Sequence, residues 1–339
     1  MGQITSLFAH KVVNIATAKE PDNMARRRTL FASVGIDPDA PIDPRVRISD
    51  SDYYSLCERV VREDSNGVTV PLRVGASMRC DDYGAFGLAF KSAVNLRKSY
   101  ERAERYGLVL TSVSAYEVRT EGGKNYMILH REGERRLGLR LSNEQTIAAI
   151  TQISREVGQR QFIPEKVYFK HPSPSDLAAH EEFFGCPVVY NADRDALQLS
   201  EQTLSVPNKL ADEAISEFFD SYLENELPEF ADNLSLARRL RSSISQLLSE
   251  GVPTITEIAG RFNMSARTLQ RRLSDDGLSF QQIVDESRRE LAKRFLEKTD
   301  YSLSEIAFLT GFADQSAFNR AFRRWAGQTP RSYRLQVRP

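Results

Sequence analysis

Two short segments near the carboxyl end of the chain carry arginine, amide and hydroxyl side chains with the spacing of one helix face. Arginine can donate two hydrogen bonds to guanine, and glutamine or asparagine can pair with adenine, so these residue types can read DNA bases. The candidate base-reading residues are Arg267, Gln270 and Arg271 in the first segment, and Gln315, Ser316, Asn319 and Arg320 in the second. The candidates for phosphate contacts are Arg272, Arg323, Arg324 and Thr329. The alternative interpretation of each segment is an ordinary solvated helix face.

Both segments lie in a unit that occurs twice in the sequence. Residues 257–259, Glu-Ile-Ala, recur 48 positions later as residues 305–307. Leu269 recurs as Phe318 at a distance of 49, which requires one extra residue in the second turn. Each unit has a short helical pattern, a turn and a basic helical pattern. This repeat predicts two tandem helix-turn-helix motifs, at about 254–273 and 302–325.

Small and apolar residues occur where a helix-turn-helix needs them. Ala259 and Ala307 precede the two turns and let the paired helices approach closely. The apolar residues predicted to lock the helices together are Ile258, Phe262, Leu269 and Leu273, and then Ile306, Leu309, Phe318 and Phe322. A long helix predicted over 279–298 joins the units and spans roughly 30 Å, close to one DNA turn of about 34 Å. Two recognition helices at this spacing can enter neighbouring major-groove segments.

The charge is distributed unevenly along a chain that is neutral overall. Residues 233–339 contain 18 Lys and Arg against 11 Asp and Glu, a net charge of +7. Residues 201–232 contain nine acidic residues and one lysine, a net charge of −8. A basic domain behind an acidic segment is typical of a nucleic-acid-binding protein. We therefore predict an effector-sensing domain over 1–200, an acidic linker helix over 201–232 and a DNA-binding domain over 233–339.

The first 200 residues mix helical and extended patterns without regular alternation, which predicts an α+β domain with an antiparallel sheet. The predicted helices are 49–63, 83–106, 143–157 and 175–184, and the predicted strands are 108–118, 126–130, 166–170, 188–190 and 196–199. The turn at 121–124 indicates one hairpin, and the turn at 191–193 indicates a second.

The acidic segment contains a further helical pattern, predicted over 208–227 and ended by Pro228. Its apolar stripe consists of Leu210, Ala214, Ile215, Phe218, Phe219, Tyr222 and Leu223. This stripe can pack on its own front domain or form a contact in a homodimer.

The remaining residue types exclude several function classes. The 339-residue chain is 41% hydrophobic and 27% charged, which is typical of a soluble globular protein. It has no P-loop, Gly-x-Gly-x-x-Gly or Gly-x-Ser-x-Gly motif, so we predict no catalytic site and no cofactor. Cys57, Cys80 and Cys186 lack metal-ligand spacing and suit a reducing cytoplasm, so no metal site is predicted. No apolar run approaches the roughly 20 residues of a membrane span, and residues 1–9 lack a signal-peptide pattern.

The last hundred residues resemble the AraC/XylS family of bacterial transcription regulators. The matching motifs are Glu305-Ile306-Ala307, Gly311-Phe312, residues 315–324, Gly327-Gln328-Thr329-Pro330 and Tyr333-Arg334. The front of the chain is similar to a subgroup with an arabinose-binding-like N-terminal domain, at residues 84–106 and 183–188.

The resemblance implies a sequence-specific regulator of transcription, more often an activator than a repressor, that binds double-stranded DNA. It also implies a small-molecule effector in the N-terminal domain and contact with RNA polymerase, while the effector-binding residues stay unassigned. One alternative is a ligand-independent DNA-binding regulator or antagonist. A second is a DNA-repair methyl acceptor with a similar DNA-binding domain. That alternative requires a zinc-bound cysteine cluster, and the separations of 23 and 106 residues between the cysteines argue against it.

Overall fold

The computed structural model describes residues 2–18, 23–40, 42–131, 136–231, 236–275 and 277–337. Its internal contacts divide the chain into two compact units. Met1–Thr120 and Lys124–Asn233 form the first unit, and Glu121–Gly123 and Leu234–Pro339 form the second. By its contacts, the described part of the acidic segment therefore belongs to the first unit.

The first unit combines ten α-helices in its described part with two small sheets. Its helices are α1 (Ser6–Thr17), α2 (Met24–Ala32), α3 (Asp50–Glu63), α4 (Val70–Ala76), α5 (Ala85–Ser92), α6 (Leu96–Tyr106), α7 (Leu137–Val157), α8 (Leu177–Phe184), α9 (Glu201–Leu204) and α10 (Glu213–Ala231). Short 3-10 turns occur at Gly67–Thr69, Cys80–Tyr83 and Gly107–Val109. The long helix α7 packs closely on α4, where a Cβ added to Gly75 would lie 2.4 Å from the Cβ of Ala148. Only glycine permits this approach.

The larger sheet has five strands in the order β3-β4-β7-β5-β6. The strands are β1 (Gln3–Thr5) and β2 (Arg47–Ser49), which pair with each other, and β3 (Ser114–Glu121), β4 (Lys124–Arg131), β5 (Lys166–Tyr168), β6 (Val188–Val189) and β7 (Asp195–Leu199). The predicted first hairpin is confirmed as β3 and β4, which turn through Gly122 and Gly123 at positive φ. The α+β class of this domain is confirmed as well.

The predicted second hairpin is wrong, and the sheet is mixed rather than wholly antiparallel. Strand β6 pairs in parallel with β5, with Val188 opposite Val167. Strand β7 instead pairs antiparallel with both β4 and β5. All five β7 residues are buried, so this strand occupies the sheet centre and leaves the two-residue β6 at the edge.

Two further predictions differ from the structure because local capping and turns intervene. The pattern over 83–106 forms two helices, since Asn95 caps α6 by accepting a hydrogen bond from the backbone N–H of Lys98 at 3.0 Å. The strand predicted from 108 begins only at Ser114, because the Gly107–Val109 turn comes first.

The acidic helix α10 continues through Pro228 to Ala231, so the predicted end at Pro228 is wrong. A proline removes only one backbone hydrogen bond of a helix. Side-chain contacts with α6 stabilise the part of α10 that precedes Pro228. Arg102 forms an ion pair with Asp220 at 2.6 Å between Nη2 and Oδ2. The apolar stripe is divided: Leu223 is 1% exposed, whereas Phe218 is 64% exposed.

Apart from the hairpin residues Glu121–Gly123, the described part of the second unit consists of helices joined by turns. Its helices are α11 (Leu236–Leu247), α12 (Ile255–Arg261), α13 (Ala266–Asp275), α14 (Phe280–Lys298), α15 (Leu303–Leu309), α16 (Gln315–Ala326) and α17 (Pro330–Val337), with a 3-10 turn at Leu248–Glu250. Phe295 on α14 packs against two apolar clusters, one for each repeated unit. Residue 233, where the DNA-binding domain is predicted to begin, lies outside the described residues.

Within the described ranges, no helix is long and apolar enough to cross a bilayer. The same residues contain no group of three or more His, Cys, Asp or Glu that could hold a metal ion. The cysteines are unpaired thiols. Burial raises the pKa of Cys57 and Cys80 to about 12, so both thiols are protonated at neutral pH.

Candidate nucleic-acid interface

The first helix-turn-helix consists of α12, a tight turn and α13. The turn requires a left-handed residue, and Asn263 takes this conformation with φ of 52°. The backbone N–H of Met264 donates to the carbonyl of Ala259 at 2.9 Å and closes the turn. Ser265 then begins the second helix, because its hydroxyl accepts a hydrogen bond from the N–H of Thr268 at 3.1 Å.

The second helix-turn-helix, α15 to α16, repeats this geometry 48 residues later. Gly311 takes the left-handed conformation with φ of 74°. The N–H of Phe312 donates to the carbonyl of Ala307 at 2.9 Å. Asp314 caps α16 by accepting a hydrogen bond from the N–H of Ala317 at 2.7 Å. The two turns therefore share one backbone design, and the predicted tandem architecture is confirmed.

The first helix of each motif begins with the same reciprocal cap. Thr254 and Glu257 cap α12, and Ser302 and Glu305 cap α15, and each pair is joined by hydrogen bonds in both directions. The hydrogen bonds from Thr254 lower the pKa of Glu257, and those from Ser302 lower the pKa of Glu305. Each carboxylate thus remains ionised beside the positive end of its helix.

The residues predicted to lock the helices together lie in the interior or at its edge. Ala259 and Ala307 are 1% and 2% exposed, which permits the close helix contacts. Ile258, Leu269, Leu273, Ile306, Phe318 and Phe322 are buried, and Phe262 and Leu309 are half-buried. Burying these residues turns the other face of α13 and of α16 toward solvent.

That solvent face carries nearly all of the candidate contact residues. The exposed candidates are Arg267, Gln270, Arg271 and Arg272 on α13, Gln315, Ser316, Arg320, Arg323 and Arg324 on α16, and Thr329 after it. Asn319 differs, because it is half-buried and its Oδ1 atom is buried without a hydrogen-bond partner among the described residues. The hydroxyl of Thr329 accepts a hydrogen bond from the N–H of Ser332 at 3.2 Å and caps α17.

The exposed arginines of the two helices are held by no carboxylate in the part of the chain that the structure describes. This holds for Arg267 and Arg271 on α13 and for Arg320, Arg323 and Arg324 on α16. An unpaired guanidinium keeps all five of its donors for a ligand such as a base edge or a phosphate. The two helices therefore present free cationic donors on one solvent face each.

One structural residue of this unit, Arg288 on α14, could not be found from the sequence. Its Nε donates to the carbonyl of Thr310 at 3.1 Å, and its guanidinium lies 4.3 Å from the centroid of the Phe312 ring. Arg288 therefore fixes the second turn from outside the motif. Its burial lowers the pKa of this guanidinium. An arginine on a long helix gives no sequence signal for these partners.

Two family models match the chain. The model described as "Arabinose-binding domain of AraC transcription regulator, N-term" matches residues 25–208, which is more than half of the chain, and a model described as "Helix-turn-helix domain" matches residues 258–336. The chain belongs to the AraC family of transcription regulators. The family resemblance seen in the sequence is thus confirmed, as is the predicted function of a DNA-binding regulator with an N-terminal ligand-binding domain.

Known relatives cover much of the AraC-family chain. The ornithine utilization regulator of Pseudomonas aeruginosa is 27% identical over 311 residues, covering 91% of this chain and 90% of that protein. The regulator VirS of Mycobacterium tuberculosis is 33% identical over 192 residues, or 56% of each chain. Among solved structures, the regulator CdpR of Pseudomonas aeruginosa aligns with 97% of this chain and 98% of its own, at 22% identity and a TM-score of 0.46.

Proposed function

We propose that this AraC-family regulator binds its promoter site by placing α13 and α16 in successive major-groove segments. The observation that carries the proposal is the pair of equivalent helices with exposed, unpaired arginines. In this proposal the base readers are Arg267, Gln270, Arg271, Gln315, Ser316, Asn319 and Arg320. Half-buried Asn319 reads its base only if its side chain rotates outward on binding.

The phosphate contacts come from Arg272, Arg323, Arg324 and Thr329. The Thr329 hydroxyl accepts from the N–H of Ser332, which leaves its own hydrogen to donate to a phosphate oxygen. These residues lie beside the base readers, so they set the register of each helix on the duplex.

The salt dependence of DNA affinity tests this electrostatic role. Genome-wide mapping of the bound sites supplies the DNA, and the affinity of the full chain is then measured at several salt concentrations. The logarithm of the affinity falls with the logarithm of the salt concentration by about 0.9 per phosphate contact. Arg324→Ala lowers that slope by about 1, while Arg194→Ala in the first unit leaves it unchanged. A flat salt dependence contradicts the proposal.

We also infer the mode of action of the regulator. The regulator activates transcription in the cytoplasm, acts as a homodimer and contacts RNA polymerase when a small-molecule effector occupies its N-terminal unit. Family membership supports activation and the effector, and the exposed Phe218 and Tyr222 on α10 support self-association. A chain with no effector is the alternative, and a thermal-shift screen of metabolites distinguishes the two, because a bound ligand raises the unfolding temperature.

The chain works in this proposal as a binding protein rather than as an enzyme. A DNA-repair methyl acceptor needs a reactive thiolate, and thiol reactivity requires a lowered pKa. Burial raises the pKa of Cys57 and Cys80 to about 12 and that of Cys186 to about 11. A zinc assay on the purified chain completes the test, since the methyl acceptor requires the metal.

A further inference from the structure

An apolar cavity lies in the first unit between α6, α7 and the sheet. Its volume is about 40 Å³, which is room for about three water-sized groups. Ala103, Met127, Ile150 and Ile153 are among its lining residues, and no Asp, Glu, Lys or Arg of the described chain lines it. An ionised group inside this inner cavity would lose its hydration without gaining a partner. The inner cavity therefore suits a short apolar group.

A second, wider cavity of about 200 Å³ adjoins the first. Tyr83, Phe86 and Leu110 line both cavities, so these three side chains form the boundary between them. Polar and apolar side chains both line the outer cavity, and its rim carries charges of both signs. A molecule that spans the boundary would place its apolar part inside and its polar part at the rim.

Three ionised side chains form that rim: Asp43, Arg45 and Glu226. The Nη2 atom of Arg45 lies 3.1 Å from the Oδ2 atom of Asp43. The carboxylate of Glu226 accepts a hydrogen bond from the Tyr222 hydroxyl at 2.7 Å. The guanidinium of Arg47, whose Nη1 atom donates to a backbone carbonyl of the cavity lining at 2.7 Å, adds a second positive charge near both carboxylates. The site therefore presents two charges of each sign, so a ligand with a single charge leaves the groups of its own sign unpaired. A head group with both charges can pair with both kinds of side chain.

We propose that the two cavities form the effector site and that the effector is a small zwitterion with an apolar tail, of the class of aliphatic α-amino acids. The tail fills the inner cavity, the carboxylate pairs with Arg45, and the ammonium group pairs with Glu226 and Asp43. This inference rests on the proposed function, in which the first unit binds an effector, and it adds the site and the chemical class.

The location of the rim also shows how such an effector acts. Tyr222 and Glu226 belong to α10, which is the last helix of the first unit before the DNA-binding unit in the chain. A bound head group therefore contacts this helix directly. A ligand shifts a conformational equilibrium only through contacts that differ between the two states. In our proposal the ligand contacts Tyr222 and Glu226 in only one of the two positions of α10, and so stabilises that position.

Calorimetric titration of the full chain with four matched compounds tests the class of ligand. L-norvaline has both head charges and a three-carbon tail. Pentanoate lacks the ammonium group, butan-1-amine lacks the carboxylate, and L-ornithine carries an additional ammonium group on the tail. We expect L-norvaline to bind. The two singly charged compounds should have an affinity at least about tenfold lower, and L-ornithine should show no binding. No binding by L-norvaline, or equal binding by pentanoate or L-ornithine, overturns the proposal.

Variants then test the site itself. Glu226→Gln and Arg45→Gln each weaken L-norvaline binding about tenfold, because each removes one charge from the rim. Glu217→Gln is the matched control, since Glu217 is an exposed carboxylate on the same helix outside the rim. Ala103→Leu fills the inner cavity and abolishes binding. The rim variants decide the outcome if Ala103→Leu does not fold, and equal affinities for Glu217→Gln and Glu226→Gln overturn the site.

The affinity of the ligand-free chain for its mapped DNA site separates this inference from the proposed function. Specific DNA binding without L-norvaline binding overturns only the effector site. Loss of specific DNA binding overturns the proposed function, whatever the calorimetry shows. We expect saturating L-norvaline to change the DNA affinity several-fold in the parent and not in Glu226→Gln. Binding of L-norvaline without any change in DNA affinity overturns its role as the effector.

Discussion

The two units of this regulator treat their charged side chains in opposite ways. In the first unit Glu144 is 2% exposed and is surrounded by Arg140, His171 and His180, which we call the Glu144 cluster. In the second unit the arginines of α13 and α16 are exposed, and no carboxylate of the described residues pairs with them. A buried charge must be paired to be tolerated, whereas a charge reserved for an external polyanion must stay free. The paired charges of the Glu144 cluster therefore stabilise the fold of the first unit, whereas the unpaired arginines of the second unit are available to bind DNA.

His180 has one polar contact for each of its ring nitrogens in the Glu144 cluster. Its Nε2 atom lies 3.2 Å from the Oε2 atom of Glu144, and its Nδ1 atom lies 3.2 Å from the carbonyl oxygen of Asp176. Both partner oxygens are hydrogen-bond acceptors, so the buried ring of His180 is held between Glu144 and the first turn of α8. Burial alone would raise the pKa of Glu144, but the interactions with His171 and His180 outweigh it and hold the pKa at about 2.

The largest expected effect is that of removing the buried carboxylate. Glu144→Gln removes the buried negative charge that Arg140, His171 and His180 contact, and lowers the free energy of unfolding of the first unit by about 3–5 kcal/mol. Urea denaturation, followed separately for each unit by hydrogen exchange, measures the loss. Glu182→Gln is the control, because Glu182 is exposed on α8. Equal losses in the two variants, or a loss in the second unit, would break the comparison between units.

The free energy of unfolding of the first unit should depend on pH through Glu144. The pKa of Glu144 is lowered on folding, from 4.5 to about 2, so its stabilisation is fully present above pH 4.5. That stabilisation, about 3 kcal/mol, is lost as the pH falls from 4.5 toward 2. Denaturation curves at several pH values should show this slope in the parent and not in Glu144→Gln. A slope shared by both proteins would assign the acid sensitivity to other carboxylates.

The free arginines of α16 should separate base reading from phosphate contact. Arg320→Ala is expected to cost about 1–3 kcal/mol on the cognate site and to relax specificity at one base position. Arg324→Ala should weaken binding to all DNA sequences by a similar factor. Competition binding against single-base variants of the mapped site measures both effects. If both variants lose affinity uniformly, the assignment of Arg320 to a base edge is wrong.

The smallest expected effect on folding concerns the exposed face of α10. Phe218→Ser and Tyr222→Ser remove solvent-exposed apolar surface and should change the free energy of unfolding by about 0.5 kcal/mol or less. The DNA contacts of the second unit should remain, while self-association or the effector response of the full chain changes. Sedimentation and effector-dependent DNA binding measure this outcome. An unchanged mass and an unchanged response would make α10 a spacer.

Patterns among residues that are close in the sequence were enough to predict many of the local structures of this protein. The repeat of 48 residues predicted both helix-turn-helix motifs, because helix periodicity, caps and turn residues act within a few positions of one another. The prediction of exposed recognition faces followed from the same periodicity. Local signals of this kind also identified the β3–β4 hairpin and the helix that Ser49 caps.

Only the tertiary structure decided the features that join distant residues. Strand β7 pairs with β4 and β5 instead of the neighbouring β6, because burial at the sheet centre outweighs closeness in sequence. The apolar stripe of α10 is divided, since the first unit covers Leu223 and leaves Phe218 in solvent. The Glu144 cluster and the two adjoining cavities likewise assemble side chains from several elements. Their burial and pairing depend on the packing of the whole unit, which no single segment of the sequence records.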